Sequence, residues 1–270
     1  MDILSAVVLG AVQGLTEFLP VSSSGHLVLF QKIFGIEEQT LFFDTMVHAG
    51  TLLAVFVVLW RDIWAILKRI VQPLTGWLIL ATIPAVIAAV AFKNPIEHAF
   101  ESGQFLGLSF LITAALLCAA ELLSSRPVNN REPKKAGDMN WRDALIIGVL
   151  QAVAIIPGIS RSGATISGAL SRRLDRDFAA RFSFLLSIPA ILGAVVLQIK
   201  GLADGGGAAD NGISAAALIA GMASAAIVSF FAVRLMLKII RERTLFGFAI
   251  YTAALGTLVL FDQFVTHLVF

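Results

Sequence analysis

Long apolar runs separated by short polar loops dominate the chain. A helix needs roughly 17 to 25 mainly apolar residues to cross a bilayer. Six runs approach or meet that length: 42–60, 77–92, 105–123, 182–199, 213–233 and 245–261. Two further apolar stretches break in the middle. In the first, 3–18 and 26–34 flank Pro20-Val-Ser-Ser-Ser-Gly25; in the second, 144–156 and 164–170 flank Pro157-Gly-Ile-Ser-Arg-Ser-Gly163. An arm of about a dozen residues makes about 18 Å of helix, too short for a ~30 Å hydrocarbon core. The pattern predicts two re-entrant helical hairpins, 3–35 and 144–170. Their irregular tips must meet protein or water, because lipid satisfies no backbone group.

Basic residues set the topology. Arg61, Lys68 and Arg69 form one group, and Arg126, Arg131, Lys134, Lys135 and Arg142 a second. Arg172, Arg173, Arg176 and Arg181 form a third, and Arg234, Lys238, Arg241 and Arg243 a fourth. Together they hold most of the twenty Lys and Arg. The loop 201–212 carries Asp204 and Asp210 and no basic residue. The positive-inside rule therefore places all four groups in the cytoplasm. With 126–142 and 172–181 on one side, the stretch between them enters and leaves by the same face, as a hairpin does. The N-terminal stretch reads the same way from the other side.

An internal repeat organises these elements. Leu9-Gly-Ala-Val-Gln-Gly14 matches Ile147-Gly-Val-Leu-Gln-Ala152, with Gly10 on Gly148 and Gln13 on Gln151. At the same offset of 138, Ser22, Ser24 and Gly25 fall on Ser160, Ser162 and Gly163; Pro20 and Pro157 are one residue out of register. A single membrane domain, 1–270, then divides into repeat one, 1–125, and repeat two, 141–270. Each has one hairpin and three spans. Three is odd, so the second repeat is inverted, a plan common among transporters. The expected fold class is an all-α integral membrane protein with six transmembrane helices plus two re-entrant helical hairpins in an inverted repeat.

Composition agrees. Hydrophobic residues make up 58% of the 270 and charged residues 14%, against about 25% charged in soluble domains. Mean hydropathy is +0.88. A net charge of +2 gives no argument for a nucleic-acid partner. The one cysteine, Cys118, lies in an apolar run, so no disulfide or Cys-based metal site forms within the chain. The N-terminus lacks a basic n-region, and Gln13 and Glu17 interrupt its apolar run, so it reads as mature sequence rather than a signal peptide.

The hairpin tips carry the chemistry. Ser and Thr cap helix starts, and the free N–H groups there bind anions. Two inverted hairpins would meet near mid-membrane and aim both helix N-termini into one pocket. Arg161 has a fork suited to phosphate oxygens, and Ser160, Ser162 and Thr165 add hydroxyls. Gln13 and Glu17 share a helix face, with Ser22 or Ser23 and His26 a turn further on. Glu17 would hold a divalent cation or act as a base, and His26 would move a proton. A Ser near a His is a candidate nucleophile. Charges at membrane depth are costly and usually functional, which argues for Arg161 and Glu17.

Other polar residues have plainer readings. Asp44 and His48, four apart at the start of a span, read first as an interfacial polar pair and second as pocket-lining residues, and Asp177 with Arg181 reads as a cytoplasmic ion pair. The Arg172–Arg176 cluster reads as a topology signal. Glu121, His98 and His267 read as structural, and Gly193, Gly221 and Gly256 as helix-packing positions.

Gln13-Gly-Leu-Thr-Glu17-Phe-Leu-Pro-Val-Ser-Ser-Ser-Gly-His26 and Pro157-Gly-Ile-Ser-Arg-Ser-Gly-Ala-Thr165-Ile resemble the two signature motifs of the undecaprenyl-diphosphate phosphatase (bacitracin resistance) family. The resemblance extends over the whole chain in length, hairpin spacing and span count. Gln13 stands where that family has Glu or Gln, which leaves one carboxylate fewer for a metal. The resemblance implies hydrolysis of undecaprenyl diphosphate to the monophosphate carrier, which recycles it for cell-wall synthesis and confers bacitracin resistance. It implies a bacterial inner (plasma) membrane location, a site open to the periplasmic or outer face, and Mg²⁺ or Ca²⁺ as cofactor. Glu17, Ser23, His26, Ser160, Arg161 and Thr165 would form the active site, with Ser22 and Ser162 beside the phosphate and the metal at Glu17 and Gln13. Attack by Ser23 is preferred over attack by His26-activated water. The expected partners are a polyprenyl diphosphate and membrane lipids, with no nucleic acid; a homodimer is compatible with the plan. A transporter or flippase of polyprenyl phosphate is the alternative, since an inverted repeat suits it equally. It has no evident need, however, for a nucleophile and a proton carrier beside a phosphate clamp.

Overall fold

A computed structural model describes residues 1–36, 41–124, 132–203 and 213–270. Arg126, Arg131, Asp204 and Asp210 lie outside the described residues. Among the described residues the chain is helical, with one isolated β-bridge between Lys134 and Leu174. In chain order the helices are α1 (Ile3–Thr16), α2 (Ser23–Ile33), α3 (Leu41–Val58), α4 (Trp60–Lys68), α5 (Pro73–Ala91) and α6 (Lys93–Ser102). They continue as α7 (Leu106–Ser124), α8 (Trp141–Val153), α9 (Arg161–Ser171), α10 (Arg176–Ala203), α11 (Ala215–Glu242) and α12 (Phe246–Phe261). Five of these, α5, α7, α10, α11 and α12, are long and apolar enough to cross a membrane; α3 with α4 makes a sixth that bends by 79°. The protein is an all-α integral membrane protein.

The broken stretches fold as two short helix pairs of the same construction. Asp2 caps α1 by accepting from the Ser5 N–H at 2.6 Å, and Asn140, 138 residues later, caps α8 by accepting from the Arg142 and Asp143 N–H groups. Ser22 Oγ accepts from the Gly25 N–H at 3.2 Å and Ser160 Oγ from the Gly163 N–H at 3.0 Å, so α2 and α9 begin alike. Both also end 138 residues apart, at Ile33 and Ser171.

Each first arm lies hard against a span of the other half. A Cβ on Gly10 of α1 would sit 2.2 Å from the Gly221 carbonyl oxygen of α11, and one on Gly148 of α8 2.6 Å from the Ala81 oxygen of α5. Small residues permit such backbone approach between membrane helices. Gly221 and Gly256 are close-packed as expected, but Gly193 has nothing within 4 Å of an added Cβ. Its face of α10 is open rather than packed on a helix.

Residues from all four basic groups or their immediate neighbours meet at one end of the bundle. Arg181 pairs with Asp62 at 2.7 Å and Asp177 at 2.8 Å, and Arg241 with Asp177 at 2.6 Å. Arg176 binds Glu121 at 2.6 Å, giving Glu121 the structural part expected of it. Lys134 and Arg172 both reach Asp143 at 2.9 Å. Burial by itself would raise the Asp143 carboxyl, but bonds from Lys134, Arg172 and Asn140 hold it below the usual carboxylate range. A lowered folded value stabilises above the unfolded carboxylate pKa of about 4, and the gain is lost as pH falls through the folded value. Asp143→Asn is therefore expected to cost about 1–2 kcal/mol at neutral pH, below the ~3–5 kcal/mol of a fully buried pair because both cations are partly exposed. Melting midpoints of variant and wild type, measured in detergent, should differ at pH 7 and approach each other only as pH falls below the usual carboxylate range, through the lowered Asp143 value.

Candidate active site

The two hairpin tips interlock. Glu17 closes the C-terminal end of α1, and the chain turns through Pro20 to Ser22, a non-glycine residue at φ 72°. That left-handed conformation lets Ser22 cap α2 and makes Ser23 its first residue. In the second tip Gly158, at φ 89°, lies where a Cβ would meet the Ser109 Cβ at 2.7 Å, so only glycine fits the turn. Ser160 then caps α9 and Arg161 becomes its first residue. Across the tips, the Gly158 N–H donates to Ser24 Oγ at 3.3 Å and Ser162 Oγ donates to the Leu19 carbonyl at 3.0 Å.

Glu17 is the centre of this arrangement. Its side chain is 5% exposed. Oε1 accepts from Arg161 Nη2 at 2.6 Å, and Oε2 accepts from Ser23 Oγ at 2.5 Å and from Gln13 Nε2 at 2.8 Å. His48 Nε2 lies 3.4 Å from the same Oε2. Arg161 is steadied from behind, where Nη1 donates to the Ser183 carbonyl at 3.2 Å. Thr165 Oγ1 donates to the Arg161 carbonyl at 2.8 Å and lies 2.6 Å from Ser183 Oγ.

A cavity of about 260 Å³ opens over these groups. Its polar wall is Glu17, Ser23, Ser24, Asp44, Thr45, His48 and Arg161; Leu27, Val28, Ile155, Ile159 and Ile191 supply much of the apolar wall. Two helix starts, at Ser23 and Arg161, border it, and their free N–H groups favour an anion. An anionic head with an apolar tail suits such a wall, and a hydroxyl bonded to a buried carboxylate can be deprotonated for attack.

The expected site residues separate by position. Glu17, Ser23 and Arg161 meet in the cavity, with Gln13 one turn behind Glu17. Ser22 and Ser160 act as caps, Ser162 ties the tips together, and Thr165 braces Arg161. His26 faces the other way: Nδ1 donates to the Ser22 carbonyl at 2.7 Å, Nε2 accepts from the Tyr251 hydroxyl at 2.8 Å, and the ring meets Phe110 edge-on. Three helical residues turn the side-chain direction by about 300°, which separates His26 from Ser23 by about 60°.

His48 occupies the place next to Glu17 that sequence reasoning assigned to His26. Its Nδ1 donates to the Asp44 carbonyl at 2.6 Å, which leaves Nε2 toward Glu17. Gln31 Nε2 donates to Asp44 Oδ1 at 2.7 Å. Asp44 and His48 thus line the cavity rather than the interface. The signal that points to them is the cost of polar groups in an apolar run, the argument already applied to Glu17.

Gln13 Oε1 is buried with no protein partner, beside the Glu17 carboxylate. Among the described residues no group of three His, Cys, Asp or Glu is placed to hold a metal ion. A carboxylate with one amide oxygen still fits a Mg²⁺-like ion, which takes one or two protein ligands and completes its shell with water and substrate phosphate oxygens.

The family model of bacitracin resistance protein BacA matches residues 6–258. The chain belongs to the BacA family. Among its curated relatives, the undecaprenyl-diphosphatase of Carboxydothermus hydrogenoformans is 45% identical over 263 residues, covering 97% of this chain and 98% of the relative. Undecaprenyl-diphosphatase 4 of Bacillus thuringiensis is 45% identical over 264 residues, 98% of each. The undecaprenyl-diphosphatase of Methanosphaera stadtmanae is 41% identical over 278 residues, covering 95% and 96%. The interlocked tips of this BacA family member fall inside the matched region.

Proposed function

We propose that this protein hydrolyses undecaprenyl diphosphate to undecaprenyl phosphate and phosphate, and that the cavity between the hairpin tips is where it does so. The contact of Glu17 with both Ser23 and Arg161, inside one anion-favouring cavity with an apolar wall, carries this reading. The names of the relatives support the substrate. The terminal phosphate lies against Arg161 and the two helix starts. Ser23 Oγ attacks its phosphorus and passes its proton to Glu17 Oε2. The bridging P–O bond breaks, and its electron pair leaves with the polyprenyl phosphate. Water then cleaves the phosphoserine, and Ser23 recovers the proton. Arg161 and the backbone N–H groups stabilise the equatorial oxygens. His48, at the same carboxylate oxygen, assists the proton's stay there. A divalent cation, Mg²⁺ or Ca²⁺, would be held by Glu17 and Gln13 Oε1 and would add positive charge beside the diphosphate.

Helix lengths support a site on the outer side of the membrane. His48 precedes the basic end of α3 by about 15 Å of helix and Ala194 follows Arg176 by about 27 Å, so the cavity reaches the half of the membrane away from the basic end. With that end cytoplasmic, the site faces the outer side of the plasma membrane. The two halves are related by inversion in this reading; the matched caps and the reciprocal packing of α1 on α11 and α8 on α5 support it.

Phosphate release from a C15 or C55 prenyl diphosphate, in detergent, tests the reading. Wild type should release phosphate and lose most of that activity in EDTA. Glu17→Gln should lower kcat by about 10²–10⁴-fold, and His48→Gln by about tenfold or less, since it leaves Ser23 and Arg161 on Glu17. Ser23→Ala should abolish a trapped phosphoserine in rapid-quench mass spectrometry. A wild type that binds the lipid yet releases nothing with any divalent metal would end the catalytic reading in favour of transport.

A further inference from the structure

Helix α4 is unlike the other apolar elements. At Leu59 the chain turns by 79° away from α3, with neither proline nor glycine at the bend. Tertiary contacts hold it there. Leu59 is buried in the main core cluster, Ile63 and Ile66 pack against that cluster, and Asp62 binds Arg181 at 2.7 Å. Those contacts use one face only. On the other, Trp60 is 56% exposed and Trp64 53%, followed by exposed Leu67, Ile70 and Val71.

The same segment carries Arg61, Lys68 and Arg69, all exposed. The Arg61 guanidinium lies 5.5 Å from the Trp60 ring centroid and Lys68 Nζ 5.6 Å from that of Trp64. The nearest acidic residue in sequence, Asp62, is already taken by Arg181. Among the described residues no carboxylate pairs with Arg61, Lys68 or Arg69. A span tilts by about 20° on average, so a helix turned 79° from one lies close to the membrane plane. It does so at the end where the ion-paired basic groups gather. Arg142 over Trp141 at 5.2 Å and Arg234 over Phe230 at 5.3 Å repeat the aromatic–cation pairing at that end.

We infer that α4 and the residues to Val71 form an interfacial platform that binds anionic phospholipid headgroups in the leaflet at the basic end. Trp60, Trp64, Leu67 and Ile70 enter the acyl boundary, while Arg61, Lys68 and Arg69 contact phosphate or glycerol-phosphate oxygens. A short amphipathic helix with tryptophan on one side and cations on the other has this preference, and each basic residue near a charged leaflet adds to it. Charge complementarity selects the occupant: three cations without protein counter-ions face a surface that carries negative headgroups. The inference rests on the membrane fold alone and is independent of the diphosphatase chemistry.

Trp60 and Trp64 report on it directly. In the Trp77→Phe/Trp141→Phe protein, reconstituted in phosphatidylcholine, brominated phosphatidylglycerol should quench their fluorescence as if enriched about threefold or more over brominated phosphatidylcholine. Salt at about 0.5 M should erase the difference, and so should the triple change Arg61→Gln/Lys68→Gln/Arg69→Gln. Equal quenching by the two lipids, or a preference that survives the triple change, overturns the inference. If the double tryptophan variant does not fold, native mass spectrometry serves instead. Otherwise unaltered protein should retain phosphatidylglycerol through delipidation and the triple variant should lose it; equal retention overturns the proposal.

Discussion

Arg161→Ala is expected to lower kcat/KM for phosphate release from a prenyl diphosphate by about 10³-fold or more. Two losses combine. The substrate loses the cation that faces the charge developing on its equatorial oxygens, and one such preorganised donor alone is worth about 10²–10³ in kcat. Glu17 also loses its 2.6 Å partner in a position that is 5% exposed, and a buried charge left unpaired is strongly destabilised. The carboxylate would also lose the contact that fixes its orientation beside Ser23. Arg161→Lys separates the two effects. It keeps a positive charge near Glu17 but cannot hold Glu17 Oε1 and the Ser183 carbonyl with one planar fork. Activity intermediate between alanine and wild type is expected, with most of the loss in kcat. Steady-state kinetics beside a thermal-shift measurement would separate chemistry from folding. An alanine variant that stays folded and keeps activity within tenfold of wild type would remove Arg161 from the site.

Gly10→Val should prevent recovery of a folded, monodisperse protein. The added Cβ would lie 2.2 Å from the Gly221 carbonyl oxygen, which is backbone and cannot rotate away. Nor can α1 shift freely, since Gly14 is also tight against the Ala225 oxygen, with an added Cβ at 2.6 Å. Ser224 and Ser229 of α11 also donate to the Val7 and Gly14 carbonyls at 2.8 and 3.1 Å. Overpacking costs about 1–3 kcal/mol where side chains can yield, and more where they cannot. Gly193→Ala provides the contrast. Nothing lies within 4 Å of that Cβ, so stability should change by less than about 1 kcal/mol, in the stabilising direction if at all. Size-exclusion profiles and melting midpoints of the two variants in one detergent decide the matter. A well-folded Gly10→Val would mean that α1 and α11 are not held as closely as described.

Much of the fold is legible because its signals are local. An apolar run of membrane length becomes a helix wherever it is placed, and Pro20 and Pro157 with their serines end one helix and cap the next through atoms within three residues. The meeting of Glu17, Ser23 and Arg161 is legible for a related reason: charges in apolar stretches need partners, and the two tips hold the charges. Gly193 reads like Gly221 in sequence but differs in what stands opposite it. Local pattern says nothing of that neighbour.

The sequence by itself determined the apolar spans, the two broken stretches and their capped starts, and the small set of polar residues able to meet between them. Each depends on hydrophobic length, helix period or a hydrogen bond within a few residues. Only the tertiary structure decided which histidine stands beside Glu17, because a 60° difference in direction on α2 sends Ser23 to the cavity and His26 to Tyr251. It also decided that α4 lies across the end of a span, since contacts from Asp62, Ile63 and Ile66 to distant helices turn the chain where no proline or glycine does. Both choices are made by packing between segments far apart in the chain, and packing is settled only when the helices meet.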